Sequence, residues 1–109
     1  MAVYKVKTTI TGVFTSMDLV LDGKDIDLSY DGDHTYASTD LFDLSDKLGL
    51  QWAARGLSFQ DYTITLAISK RNDDGSFAKP KNFEEDGTIP QGQVAQVHRE
   101  ISPESPDHE

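Results

Sequence analysis

The residues best suited to chemistry lie in one stretch, residues 30–40, YDGDHTYASTD. Asp31 and Asp33 flank a glycine, and His34, Tyr36 and Asp40 follow closely. Hard cations are held by clustered oxygen ligands, so Asp31, Asp33 and Asp40 are the candidate Ca²⁺ ligands of the chain. The spacing departs from a calcium loop in two places. Counted from Asp31, Tyr36 takes the sixth position, where glycine makes the sharp turn, and Phe42 takes the twelfth, where a bidentate glutamate belongs. An Asp-Gly-Asp run is also what a tight turn requires, because aspartate bonds its own backbone and glycine accepts positive φ. The turn is the stronger reading, and no cofactor is expected.

Catalytic chemistry finds less support. Paired carboxylates act as acid and base when one of them has a shifted pKa in a partly dry pocket. Asp25 and Asp27 alternate with Ile26 and Leu28, which sets both on the outward face of a strand and predicts a solvated pair. His34, His98 and His108 are far apart and share no ligand spacing, so zinc is not expected. No nucleophile elbow, phosphate-cradling glycine loop or dinucleotide fingerprint is present. Enzymatic activity is therefore not the expectation. Tyr36 and Trp52 are the aromatic candidates for stacking on a sugar or anchoring a protein partner. Trp52 reads first as a core residue, because Leu48 and Leu50 share its parity.

Charge narrows the partner class. The chain has 109 residues and a formal net charge of -9. Nine of its aspartates fall in residues 15–50 against Lys24 and Lys47, a local net charge of -7. Residues 84–109 add a further -6. Nucleic acid and anionic membrane surfaces are excluded as expected partners, since either calls for a clustered Lys/Arg footprint. A protein with a basic surface is the expected partner and a glycan the alternative. A third reading is an assembly, in which Lys70, Arg71, Lys79 and Lys81 of one copy meet the acidic flank of the next. The chain has no cysteine, which excludes disulfides and thiolate metal sites. Its start, MAVYKVKTT, carries no apolar core of a secretory signal, so a cytoplasmic location is expected, with secretion equally compatible with the composition.

The elements that must position these residues are β-strands. From Gln60 the chain alternates, with Tyr62, Ile64, Leu66 and Ile68 on one face and Asp61, Thr63, Thr65 and Ser69 on the other. A period of two marks a half-buried strand, and this one anchors the fold. Residues 3–14 alternate in the same way until Gly12, where a bulge or a bend between sheets is expected. Asp22-Gly23 and Asp31-Gly32 are hairpin signals that frame strands at 17–21 and 25–31. Residues 40–47 read as a short helix or helical turn, since Leu41, Leu44 and Leu48 recur at helical spacing, and residues 48–54 read as a strand. Residues 80–92 read as an acidic loop, 94–101 as a last strand, and 102–109 as a flexible acidic tail. With 37% hydrophobic and 27% charged residues, the chain has the composition of one soluble domain over residues 1–101. About seven strands with frequent turn signals predict an all-β, two-sheet antiparallel β-sandwich of immunoglobulin-like or transthyretin-like arrangement, with a small barrel as the alternative.

Overall fold

A computed structural model describes residues 2–44, 46–92 and 94–104. Its strands are β1 (Ala2–Thr11), β2 (Phe14–Leu21), β3 (Lys24–Ile26), β4 (Ser29–Gly32), β5 (Thr35–Leu44), β6 (Leu48–Gly56), β7 (Asp61–Lys70), β8 (Lys81–Thr88) and β9 (Val94–Ile101). They form two sheets, one in the order β4-β5-β1-β7-β8 and the other in the order β3-β2-β6-β9, and every pairing is antiparallel. The expected β-sandwich is the fold observed.

Alternation decides what goes inside. In β7, Tyr62, Ile64, Leu66 and Ile68 are buried, as their period-two spacing requires. Tyr4, Val6 and Ile10 of β1 face the same layer. The second sheet answers with Leu48, Leu50, Trp52 and Ala54 from β6 and Ala95, Val97 and Ile101 from β9. Each large aliphatic side chain so buried contributes about 1.5–3 kcal/mol relative to exposure. The strand at the middle of its sheet is β1, paired with β5 on one side and β7 on the other. β7 sits one place away from that centre.

Turn chemistry sets the connections. Asp22 and Gly23 both take positive φ, 50° and 81°, and close the β2–β3 hairpin with two residues. Gly12 marks the bend at which the chain leaves β1 in one sheet and enters β2 in the other, in line with the sequence expectation. Asn72 and Gly75 close the turn after β7, where the Asn72 N–H donates to Ser76 O and the Gly75 N–H to Asn72 O.

Four expectations need correction. Residues 40–44 belong to β5, and no helix is found among the described residues. Leu44 and Phe42 are buried at period two while Leu41 points to solvent, so pairing with β1 overrides the helical spacing of the leucines. Ser45 lies outside the described residues. Residues 81–88, read as loop, form β8 against β7. Only Phe83 of β8 is a buried apolar residue, which is why its alternation is invisible in the acidic sequence. The single strand expected over 25–31 divides into β3 and β4, because the chain changes sheets at Asp27 and Leu28. Finally, the expected tail begins too early. Pro103 is buried and Glu104 is bonded to the sandwich, whereas residues 105–109 lie outside the described residues.

Candidate functional site

The hairpin that carries Asp31 and Asp33 is built by its backbone. Asp33 and His34 both adopt positive φ, 50° and 58°, at the tip between β4 and β5. Short polar residues tolerate this conformation better than others. The Tyr30 hydroxyl accepts the His34 N–H at 3.2 Å, and the His34 carbonyl accepts the Gly12 N–H at 3.0 Å. The tip is thus tied to the bend between β1 and β2.

Asp40 does not join it. This residue lies five positions past Thr35 along β5, a separation of roughly 17 Å at strand rise. Its carboxylate accepts the Ser38 hydroxyl at 2.8 Å and pairs with Lys24 Nζ at 3.4 Å. Asp31, Asp33 and Asp40 therefore do not converge on one point. Among the described residues, no group of three or more His, Cys, Asp or Glu side chains is gathered for a metal ion. His34 stands at the hairpin tip and His98 on the exposed face of β9, while His108 lies outside the described residues.

Trp52 is in the core, 2% exposed, and offers no face to a ligand. It stands edge-on to Phe14 at 5.5 Å between ring centroids and packs on Tyr62 at 4.8 Å. Phe14 continues to Tyr36 at 6.0 Å, and Tyr36 to Tyr30 at 5.1 Å. Tyr36 is therefore the middle of an aromatic run that leads from the core to Tyr30, which is 56% exposed.

The structure adds a site that sequence spacing does not reveal. β2 has eight residues and β3 has three, so β3 covers only Leu19, Val20 and Leu21. Beyond Ile26 the chain departs for the other sheet, and among the described residues only β6 pairs with residues 14–18 of β2, which leaves their other side open. The opening is a groove of about 740 Å³. Its walls include Phe14, Met17, Leu28 and Tyr36 as apolar surface, with Asp18, Asp25 and Asp27 beside them and no lysine or arginine among the lining residues. Of the sequence candidates, Tyr36 alone lines it. Asp25 and Asp27, read as a solvated pair, stand at its margin. The one sequence signal for this groove is the short β3, and it is hidden because alternation runs unbroken through Asp27 to Tyr30.

At the opposite end of the sandwich, Glu104 fastens the chain after β9 to the other sheet. Its carboxylate accepts the Tyr4 hydroxyl at 2.7 Å and lies 3.4 Å from Lys70 Nζ and 3.5 Å from Lys81 Nζ. Burial, then the bond to Glu104, pushes the Tyr4 hydroxyl up to about 12. The Tyr4 bond and the two lysines hold the Glu104 carboxyl below its ordinary value. This cluster uses two of the four cationic residues of the basic hairpin, Lys70 and Lys81, as internal partners.

Compared with known proteins, the chain matches no family model, no curated protein and no solved structure.

Proposed function

We propose that this protein is a non-enzymatic binding module that recognises a protein partner with a basic surface through its acidic flank. The observation that carries this reading is the groove beside β2, where Asp18, Asp25 and Asp27 border apolar surface from Phe14, Met17, Leu28 and Tyr36 without a compensating cation in the lining. Apolar contact supplies affinity in such a site, and the carboxylates supply attraction at a distance and rejection of anionic competitors. Partner capture on the immobilised chain, followed by affinity measurements with the purified partner, tests the reading. Raising NaCl from about 50 to about 500 mM weakens the complex about tenfold or more if the flank steers it, since screening shortens the reach of exposed charges. Affinity that ignores both salt and the triple change Asp18→Asn, Asp25→Asn, Asp27→Asn overturns it.

A glycan is the second reading, favoured by the exposed Tyr30 ring beside Asp31 and Asp33 at the hairpin tip. Aromatic faces and carboxylate acceptors are the usual elements of sugar recognition. A glycan array with the wild-type chain and Tyr30→Ala checks it, and a blank array counts against it.

A further inference from the structure

We propose that the groove beside β2 takes an extended cationic segment of the partner as an added β-strand, antiparallel to residues 14–18 and in line with β3. The proposal rests on the acidic flank being the binding face and adds the form in which the partner is held. Three observations lead to it.

Among the described residues, nothing pairs with this backbone edge. Leu21 and Lys24 close the two-residue β2–β3 hairpin and so form a hydrogen-bonded pair, while the Asp22 N–H donates the other way, to Gly49 O at 2.8 Å in β6. Because an antiparallel strand alternates its bonding direction, Leu21, Leu19 and Met17 turn their N–H and C=O groups to the β3 side. Leu19 and Leu21 meet β3 there, and Met17 meets the groove. An unpaired strand edge is a template for another strand.

The groove also has the shape of a missing strand. It continues the line of β3 past the point where the chain leaves the sheet, and it spans about five residues of β2, roughly 17 Å. Tyr36 and Leu28, on the far side, close it against the other sheet.

The side chains then specify the occupant. Leu19, Leu21 and Met17 share the inward parity of β2, and Asp18 has the outward one. Asp25 has the outward parity of β3, and Asp27, just past the end of that strand, is exposed and lines the same space. A strand laid here turns alternate residues inward onto Met17, Leu28 and Tyr36 and the intervening residues outward among three carboxylates. The occupant is therefore a segment in which apolar residues alternate with lysine or arginine.

The test uses an end-blocked heptapeptide of alternating lysine and valine with the full chain. At saturation, amide hydrogen exchange at Met17 slows at least tenfold, and the peptide binds at least tenfold more tightly than an analogue N-methylated at its valines, whose N–H groups face β2 in this register. Asp18→Asn, Asp25→Asn, Asp27→Asn weakens the parent peptide at least fivefold. Binding that leaves Met17 unprotected, or that the methyl groups do not disturb, overturns strand addition while leaving the acidic flank as the binding face. No binding of the parent peptide at millimolar concentration overturns the alternating cationic occupant. Insensitivity of the captured partner itself to salt and to the triple change is the separate result that removes the underlying reading.

Discussion

Arg99 Nη2 lies 3.1 Å from Glu85 Oε2, and this pair joins the two sheets across the edge formed by β8 and β9. Both residues have inward parity, for Arg99 stands opposite Leu50 and Glu85 opposite Ile64. At the other edge Lys24 of β3 reaches Asp40 of β5, again between inward-facing positions. Each long opening of the sandwich thus ends in a pair of charges where a core residue would otherwise stand. Inward charges on edge strands discourage edge-to-edge pairing with other molecules.

The first prediction separates this role from stability. Replacing both Arg99 and Glu85 by leucine changes unfolding free energy by no more than about 1 kcal/mol, because partly exposed ion pairs are worth little. The same double substitution produces concentration-dependent self-association in sedimentation velocity, whereas the wild-type edge resists it. A variant that stays monomeric at high concentration removes the protective role.

The clasp at Glu104 gives a pH dependence of known sign. Its folded pKa is lowered from 4.5, so its contribution is complete above that value and is lost as pH falls through the folded one. Tyr4 is raised from 10.0 to about 12, so its contribution is complete below pH 10 and is lost as pH rises towards 12. Tyr4→Phe lowers stability at neutral pH by about 1 kcal/mol, the usual net worth of such a hydrogen bond. It also flattens both limbs in urea unfolding at acid, neutral and alkaline pH. Some alkaline loss persists, because burial raises Tyr62 as well.

Trp52 offers a contrast between shape and polarity. Its indole Nε1 is buried and has no hydrogen-bond partner among the described residues. Trp52→Phe removes that donor and keeps much of the aromatic contact with Phe14 and Tyr62, so the cost is about 1 kcal/mol. Trp52→Ala empties the position and costs about 3–5 kcal/mol. Denaturant midpoints distinguish the two, and the fluorescence of this sole tryptophan is expected to be blue-shifted and shielded from iodide in the folded chain.

Backbone strain is located at Phe59, with φ 68° and 69% of its surface exposed in the turn between β6 and β7. A bulky residue in the left-handed region is a true outlier. Phe59→Gly relieves the strain and raises stability by about 0.5–1 kcal/mol in a thermal melt. Gly56, beside that turn, behaves oppositely. A Cβ there would stand 2.6 Å from Val13 O and 2.7 Å from Ile89 Cδ1, and Gly56→Ala costs about 1–3 kcal/mol.

Legibility in the sequence followed the strength of alternation. β7 was plain because all four of its inward residues are large and apolar, and β9 was recovered through Ala95, Val97 and Ile101. The β2–β3 hairpin showed itself through Asp22-Gly23, whose backbone conformation few other residue pairs accept. β8 was missed because its inward positions after Phe83 are Glu85 and Gly87, so pairing with β7 makes the strand without help from its own side chains. The end of β5, residues 40–44, mimics a helix because Leu41, apolar and yet exposed, stands at helical spacing from Leu44 and Leu48.

The candidate site divides along the same line. By itself the sequence determined the two-sheet β-sandwich and the acidic charge of residues 15–50, since both follow from local spacing and residue type. The turn it marked at Asp31-Gly32 falls two residues later, at Asp33 and His34, because Asp31 and Gly32 still belong to β4. The sequence could not bring Tyr36 of β5 against Phe14 and Met17 of β2, nor leave half of β2 uncovered. Those relations depend on where the chain changes sheets, at Gly12 and again at Asp27 and Leu28, and on a third strand too short to finish its ladder. A sheet change is decided by how two layers bury their faces together, and no local period records it.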